Sequence, residues 1–234
     1  MSKVAFVTGA NRGIGLAIAE RLLEEGYAVA AAYRSNPPDN PDLFPVKCDV
    51  TSQTQVDQAF DEIERNLGTV EVLIANAGIT KDNLLPRMSE DDFTDVLNSN
   101  LTSGYRLTKR AIKPMMKQRK GRIIFISSVV GTTGQAGQAN YAASKAGLVG
   151  LARSIAKEFA TRNITANVIA PGPVKTNMID ELTDQQRENI LAAVPLGRFA
   201  EPEEIAATVA FLASDQAGFI TGAIIPVDGG IGMS

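Results

Sequence analysis

The chain has 234 residues, a length that suits one compact domain with a large core. Its net charge of −3 argues against nucleic acid as the main partner, because phosphate binding needs a basic surface. The sequence contains no histidine and a single cysteine, Cys48, which excludes a Ser/His/Asp triad, a His-ligated metal and an internal disulfide. No apolar run reaches membrane-spanning length, and the first residues leave no room for a signal peptide. We therefore expect a cytoplasmic protein with no metal site and no membrane partner.

Short apolar runs that predict buried strands alternate along the chain with amphipathic stretches that predict helices. Strands are expected at 4–8, 28–33, 44–48, 70–75, 122–127, 165–170 and 223–227. Helices are expected from Ile14 to about Gly26 and at 53–66, 101–118, 140–161 and 202–214. This order implies right-handed crossovers in the α/β class. We expect a single Rossmann-like doubly wound domain over residues 1–234, with a seven-stranded parallel sheet and helices on both faces.

Polar or glycine residues follow the ends of five predicted strands. In such a sheet, ligands bind beyond the carboxyl ends of the strands. The residues in question are Gly9, Asp49, Asn76-Ala77-Gly78, Ser127-Ser128 and Pro171-Gly172. The long irregular stretch 173–201 predicts a substrate lid with a short helix at 184–191.

The segment from Thr8 to Gly15 lies between the first strand and the first helix. Its glycines would let the backbone approach a pyrophosphate at a helix N-terminus, although the G-x-x-x-G-x-G spacing departs from the usual dinucleotide fingerprint. A plain structural turn is the alternative. The segment predicts a dinucleotide-binding loop.

The residues after the second strand indicate which dinucleotide is bound. NAD enzymes carry an acidic residue there, whereas this chain has Tyr33-Arg34-Ser35-Asn36. Arg34 and Arg12 could bind a 2′-phosphate through charge-assisted hydrogen bonds, which favours NADP(H). An ordinary surface arginine is the alternative for Arg34. Asp49 and Val50 could hold the adenine, unless Asp49 caps a helix or turn.

Tyr141 and Lys145 are four residues apart on a predicted helix, so their side chains share one face. A nearby ammonium lowers the pKa of a phenol, which would let Tyr141 exchange a proton near neutral pH. The alternative is that Tyr141 and Lys145 form a chance pair on a solvent-exposed helix face, with no catalytic role. Ser128 lies at the end of the preceding strand. Its hydroxyl could act together with the phenol and the ammonium on one substrate carbonyl.

Taken together, these motifs resemble the short-chain dehydrogenase/reductase family along the whole chain. Residues 137–147 and 225–230 are most similar to bacterial β-ketoacyl-acyl-carrier-protein reductases, and the glycine loop and the C-terminal Gly-Gly-Ile-Gly-Met lean toward actinobacterial members. The resemblance implies NADPH-dependent reduction of a 3-oxoacyl thioester in type II fatty acid biosynthesis. It also implies that Tyr141 protonates the carbonyl oxygen, Lys145 binds the nicotinamide ribose and Ser128 binds the substrate oxygen.

Asn100 is the fourth catalytic residue implied, where it would position a water that relays protons to Lys145. Strand-end and helix caps are the alternatives for Ser128 and Asn100. The cofactor-binding residues expected are Gly9, Asn11, Arg12, Gly13, Ile14, Gly15, Arg34, Asp49, Val50, Asn76, Ala77, Gly78, Tyr141, Lys145, Pro171, Gly172, Val174 and Thr176.

A basic run between Lys109 and Arg122 stands out in this acidic chain. Arg119 and Arg162 are candidates for docking an acidic acyl carrier protein, and a solvated helix is the alternative. In the family, helices at 101–118 and 140–161 form a homotetramer interface, so we expect a homotetramer. Burial inside the monomer is the alternative explanation for the apolar residues of these helices. Two other functions remain open at this point: reduction of another carbonyl compound, such as acetoacetyl-CoA, a quinone, a sugar or a steroid, and NADPH sensing without turnover.

Overall fold

The structure is a computed structural model that describes residues 2–176 and 183–233. Within these residues, seven parallel strands form one sheet in the order β3-β2-β1-β4-β5-β6-β7. The strands are β1 (Val4–Val7), β2 (Ala28–Tyr33), β3 (Phe44–Lys47), β4 (Val70–Ala75), β5 (Gly121–Ile126), β6 (Ile164–Pro171) and β7 (Ile224–Val227). The strand order reverses between β1 and β4, which places the ligand crevice at their carboxyl ends.

Helices cover both faces of this sheet. They are α1 (Gly13–Glu24), α2 (Gln53–Asn66), α3 (Glu90–Leu97), α4 (Ser103–Gln118), α5 (Val130–Thr133), α6 (Ala139–Phe159), α7 (Asp184–Ala193) and α8 (Pro202–Ala213). One apolar core lies between the sheet and α2, α4 and α6, and a second lies between the sheet and α1 and α8. The predicted doubly wound fold is confirmed. No helix in the described part of the chain is long and apolar enough to cross a membrane.

Most predicted elements are present with small shifts at their ends. The four-residue helix α5 was not predicted, and neither was α3. Its N-terminus is capped by Ser89, whose hydroxyl accepts a hydrogen bond from the N–H of Asp92 at 3.0 Å. The structure also places a π-helical turn, Asn98–Thr102, where the sequence predicts the start of an ordinary helix at Leu101. This turn carries Asn100, one of the expected catalytic residues.

The expected lid, 173–201, lies partly outside the described residues, since 177–182 are not described. Its two ends are joined by a bridge between Val174 and Ala200. The N–H of Lys175 donates to the carbonyl of Ala200 at 2.8 Å, and the N–H of Ala200 donates to Pro173 at 3.0 Å. The helix expected at 184–191 extends to Ala193. A lid function for this segment stays a prediction.

Candidate active site

Hydrogen bonds draw several strand ends together at the carboxyl edge of the sheet. The N–H of Thr8 donates to Ile74 at 3.1 Å, and the hydroxyl of Thr8 accepts from the N–H groups of Asn76 (3.0 Å) and Ala77 (3.1 Å). On the other side, the N–H of Val129 donates to Pro171 at 2.8 Å. The structure therefore brings the glycine loop next to the segment after β4, and Ser127-Ser128 next to Pro171-Gly172.

The glycine loop ends in the uncapped N-terminus of α1. Arg12 is the N-cap residue in extended conformation, and no side chain caps the helix there. Gly9 and Gly13 have positive φ angles of 65° and 54°. A Cβ at Gly15 would lie 2.1 Å from the carbonyl oxygen of Gly9, so only glycine fits at this position. The free N–H groups and close backbone packing suit a pyrophosphate, so the residues present fit a dinucleotide.

Asn76 acts on this loop through its side chain. Its Nδ2 donates to the carbonyls of Thr8 (2.9 Å) and Gly9 (3.3 Å). The sequence predicts that Asn76 lines the cofactor, and the structure adds that its amide donors hold the glycine loop in shape. Gly78 follows two residues later beside Asn100 and Lys145, where a Cβ would lie 3.0 Å from Asn100 Oδ1 and 3.5 Å from Lys145 Nζ.

Arg34, Asp49 and Val50 are the residues expected to bind the adenosine end of the cofactor. Arg34 follows β2 and is exposed. Asp49 Oδ1 accepts from the N–H (2.9 Å) and hydroxyl (2.7 Å) of Thr51, so Asp49 forms the turn considered as its alternative role. The hydroxyl of Thr51, assisted by its N–H and by the charge of Arg34, keeps the pKa of Asp49 below its usual value. Val50 packs in the core, which leaves little of its surface for an adenine ring.

Thr176 and Val174 are both predicted to contact the cofactor, but the structure gives them different surroundings. The methyl group of Thr176 is 3.3 Å from the position of a Cβ on Gly13, so Thr176 lies against the glycine loop. Val174 is buried among the core residues on the α1 side of the sheet. Gly172 lies under Asp228, with only 2.7 Å between a Cβ position and Asp228 Cα.

Tyr141 and Lys145 lie on the first turns of α6, and Lys145 Nζ is 5.5 Å from the centre of the Tyr141 ring. Lys145 is only 4% exposed and donates to the carbonyl of Ile126 at 2.8 Å. Burial lowers the pKa of Lys145 to about 8. Lys145 is therefore a buried ammonium that is largely protonated at neutral pH, and its Nζ is held at the last residue of β5.

The pKa of Tyr141 differs from the sequence-based expectation. Burial raises the pKa of this phenol, a hydrogen bond with the Ser128 hydroxyl offsets part of the increase, and the Asp82 carboxylate adds to it. The expectation of a phenol pKa near neutrality is wrong, since burial is the largest effect and raises the pKa. Tyr141 consequently keeps its proton at neutral pH, next to Ser128.

Asn100 is 3% exposed, and protein groups bind both its Nδ2 protons and its Oδ1. Oδ1 accepts from the N–H of Ile79 at 2.8 Å, while Nδ2 donates to the carbonyl of Ile79 and to the hydroxyl of Ser144, both at 3.0 Å. The amide therefore clamps the segment after Gly78 to α6. The relay water expected at Asn100 stays a prediction.

Three buried polar residues hold this site: Ser127, which the sequence places at the ligand edge without a role, and Asn140 and Ser144, which sequence reasoning missed. The hydroxyl of Ser127 donates to the carbonyl of Lys145 at 2.9 Å. Asn140 Nδ2 donates to the carbonyl of Lys81 at 2.9 Å, and Asn140 precedes Tyr141 directly. Ser144 bonds both Asn100 and the Tyr141 carbonyl. Ser144 stands inside the Tyr-Ala-Ala-Ser-Lys motif, so the motif itself was the available signal.

Arg119 and Arg162 are neighbours on the surface, far from the glycine loop. Arg119 donates to the carbonyl of Thr161 at 3.0 Å, and both arginines are exposed. The rest of the basic run is partly used inside the protein, since Arg110 pairs with Asp61 and Glu64 and Arg122 is buried. Only the exposed cations of the run remain available to a partner.

Other reactive centres are sparse in residues 2–176 and 183–233. No three Cys, Asp or Glu side chains in these ranges lie together in an arrangement that could hold a metal ion. Burial raises the pKa of the Cys48 thiol to about 12, with a smaller contribution from Asp49, so Cys48 is not a thiolate at neutral pH.

The fold and site define a dinucleotide-binding α/β oxidoreductase: an uncapped helix N-terminus follows β1, and a phenol, a hydroxyl and a buried ammonium gather at the same sheet edge. Comparison with known proteins narrows this class. The family model described as Enoyl-(Acyl carrier protein) reductase matches residues 9–232. The chain belongs to the short-chain dehydrogenase/reductase family.

Several curated relatives resemble the chain along its whole length. The 3-oxoacyl-[acyl-carrier-protein] reductase MabA of Mycobacterium avium is 51% identical over 234 residues, covering 100% of this chain and 91% of that protein. MabA of Mycobacterium tuberculosis is 50% identical, covering 100% and 94%. The 3-oxoacyl-[acyl-carrier-protein] reductase FabG of Salmonella typhimurium is 49% identical over 238 residues, covering 99% and 98%. The predicted family resemblance, including the similarity to actinobacterial members, is confirmed.

Proposed function

We propose that the chain is an NADPH-dependent reductase of 3-oxoacyl thioesters carried by acyl carrier protein, acting in type II fatty acid biosynthesis. One observation carries this proposal: the protonated phenol of Tyr141, hydrogen-bonded to Ser128, lies beside the buried ammonium of Lys145 at the same sheet edge as the glycine loop. The names of relatives about half identical to this chain support the substrate class.

NADP(H) is held, in this proposal, by the N-terminal N–H groups of α1 and by the exposed guanidinium groups of Arg34 and Arg12. When bound, the cofactor supplies hydride to the substrate carbonyl carbon. The chain itself has two tasks: to orient the carbonyl and to supply a proton. Lys145 contributes a positive charge beside the expected nicotinamide ribose.

Proton supply falls to Tyr141, since its raised pKa keeps the phenol protonated at neutral pH. When a substrate carbonyl replaces the hydrogen bond between them, Ser128 and the phenol can both donate to its oxygen, where negative charge grows during reduction. As the phenol transfers its proton, the ammonium of Lys145 stabilises the tyrosinate that forms. Asn100 and Ser127 hold the two helical turns and the strand end that carry these groups.

Reduction of an enoyl thioester is a second candidate, because the matching family model is described as an enoyl reductase. That reaction would place the proton on a carbon atom. The neighbouring hydroxyls of Ser128 and Tyr141 instead suit an oxygen acceptor, since a hydroxyl donates to an oxygen lone pair. The same chemistry would serve for other ketones.

Substrate choice is tested by NADPH oxidation with three compounds at equal concentration: acetoacetyl thioester, crotonyl thioester and cyclohexanone. We expect the acetoacetyl thioester to be reduced with a kcat/KM at least about 100-fold above the other two, within the range over which enzymes discriminate by polar groups. A preference for crotonyl thioester would support enoyl reduction. Tight NADPH binding without turnover of any of the three would support a sensor.

Arg119 and Arg162, the proposed docking pair for the carrier protein, lie far from the active site of their own protomer. Helix α4 starts at the active-site edge and ends at Gln118, a length of about 24 Å at 1.5 Å per residue. The pair therefore lies near the opposite sheet edge of the same protomer. In our proposal, a carrier bound there delivers its acyl chain to the site of a neighbouring protomer.

Reversing the charges at Arg119 and Arg162 to Glu is expected to raise KM for the carrier-linked substrate about tenfold at low salt, and to leave KM for the CoA-linked substrate unchanged. Lys113→Glu, an exposed cation on α4 outside the pair, serves as the control. An unchanged carrier-linked KM would refute the docking role.

We also propose a homotetramer and a cytoplasmic location. The small exposed side chains Ala143 and Ala146 on α6, together with the half-exposed Tyr105 on α4, suit close helix packing between protomers. Leu148 and Ile155 are buried within the protomer, so burial there explains those two residues. Analytical ultracentrifugation at micromolar concentration tests the assembly, and a monomer would refute it.

A further inference from the structure

The hydroxyl of Ser144 joins two elements of the candidate site. It donates to the carbonyl of Tyr141 at 2.7 Å and accepts from Asn100 Nδ2 at 3.0 Å. Ser144 is 0% exposed, so its hydroxyl cannot touch a substrate in the cleft. Its effect on the reaction must therefore pass through Asn100 or Tyr141.

The direction of these hydrogen bonds determines the orientation of the Asn100 side-chain amide, that is, which position Nδ2 and which Oδ1 occupies. A serine hydroxyl has one proton, and here that proton is used on the Tyr141 carbonyl. The lone pairs of the hydroxyl then require a donor, which is Nδ2 of Asn100. The N–H and carbonyl of Ile79 select the same orientation of the amide. Ser144 thus completes a continuous hydrogen-bonded path from Ile79 to the backbone of Tyr141.

This path connects the segment expected to line the cofactor with the helical turn that carries the proton donor. Ile79 directly follows Gly78, which lies beside Asn100 Oδ1 and Lys145 Nζ. Tyr141 is at the other end of the path, on α6. A loose link between these two segments would change the distance between the nicotinamide side of the site and the phenol.

We propose that Ser144 is a positioning residue for carbonyl reduction, acting by holding Asn100 and the Tyr141 turn at a fixed separation. The inference rests on the proposed function in one respect only, namely that Tyr141 serves as proton donor. Removing the hydroxyl leaves Nδ2 with a single acceptor and breaks the side-chain link between Asn100 and the Tyr141 turn. Small displacements of reacting groups lower the turnover rate steeply.

A double-mutant cycle tests the route through Asn100. We expect Ser144→Ala to lower kcat about tenfold, with little change in the NADPH dissociation constant. In an Asn100→Ala background, the same change is expected to lower kcat less than about twofold, because the partner is already absent. Equal losses in both backgrounds, or no loss in the single variant, would overturn the proposal.

Ser214→Ala provides a matched control. The Ser214 hydroxyl also donates to a carbonyl three residues earlier, that of Phe211 at 2.7 Å, and accepts from the N–H of Gln216 at 3.2 Å. It follows α8 and belongs to no part of the candidate site. A kcat loss as large in Ser214→Ala as in Ser144→Ala would mean that general loss of stability explains both.

A second readout needs no substrate or cofactor. In ¹⁵N-labelled protein, the side-chain amide signal of Asn100, identified by its loss in Asn100→Ala, should exchange slowly with solvent in wild type and Ser214→Ala. It should exchange at least about tenfold faster in Ser144→Ala, since one of its two acceptors is gone. Unchanged protection would refute the positioning role. Failure of the proposed function would appear separately, as a wild-type protein that turns over no thioester while this exchange pattern persists.

Discussion

Lys145→Met is expected to change the pH dependence of folding stability. Lys145 is buried, and its pKa falls from 10.5 to about 8 through desolvation. Because the folded-state pKa is the lower one, the unfolded chain binds more protons between pH 8 and 10.5, and stability rises with pH across that interval. Below pH 8 the folded protein carries the full cost of a buried charge. Methionine keeps the side-chain length and removes that cost.

The magnitude follows from the two pKa values. A shift of this size corresponds to about 3 kcal/mol at pH 7 and to about 1 kcal/mol at pH 9.5. The hydrogen bond from Lys145 to the carbonyl of Ile126 is lost in the variant, at a cost of about 1 kcal/mol. The free energy of unfolding of Lys145→Met, relative to wild type, should therefore fall by about 2 kcal/mol between pH 7 and pH 9.5.

Urea unfolding followed by circular dichroism at both pH values measures this difference, and the absence of tryptophan makes dichroism the better probe. Protein concentration must be the same throughout, because assembly adds to stability. Lys117→Met, which removes an exposed cation from α4, is the control and should give a difference that does not change with pH. A pH-independent difference for Lys145→Met, or one of opposite sign, would refute the reasoning.

Three further predictions concern the cofactor site. Arg34→Ala should raise KM for NADPH about tenfold or more and leave KM for NADH nearly unchanged, since only NADPH carries the 2′-phosphate; equal wild-type efficiency with both cofactors would contradict this. Gly15→Ala should abolish NADPH binding, measured by nucleotide fluorescence, because its Cβ would lie 2.1 Å from Gly9 O; near-normal affinity would show that the loop does not hold the cofactor. The kcat/KM for NADPH should fall about tenfold per pH unit above about pH 8, as Lys145 in the free protein loses its charge; a flat profile to pH 10 would argue against that charge contributing.

Much of the fold could be predicted because hydrophobic periodicity reports burial directly. The strands β2 and β4 and the helix α2 begin and end where the sequence predicts. Helix α3 was missed because it is short and strongly acidic, with Val96 as its single fully buried residue, so periodicity gives almost no signal. The Ser89 cap was the available indication, and it requires reading capping residues rather than apolar spacing.

The site was predictable in its residues and less so in its energetics. Spacing alone placed Tyr141 and Lys145 on one helical face, as the structure shows. Spacing cannot measure desolvation, which raises the pKa of Tyr141 here in spite of the nearby lysine. The π-helical turn at Asn100 also depends on tertiary hydrogen bonds to Ile79 and Ser144, and these come from segments far apart in the sequence.

The central claim is that Tyr141 supplies the proton for carbonyl reduction. The most direct measurement compares Tyr141→Phe with Tyr105→Phe, a half-exposed tyrosine on α4, in NADPH oxidation with acetoacetyl thioester. Tyr141→Phe should lose 10²- to 10⁴-fold in turnover, the range typical of one acid catalyst, with NADPH affinity within about twofold of wild type. Tyr105→Phe should keep wild-type activity. Turnover by Tyr141→Phe above about one per cent of wild type would contradict the account.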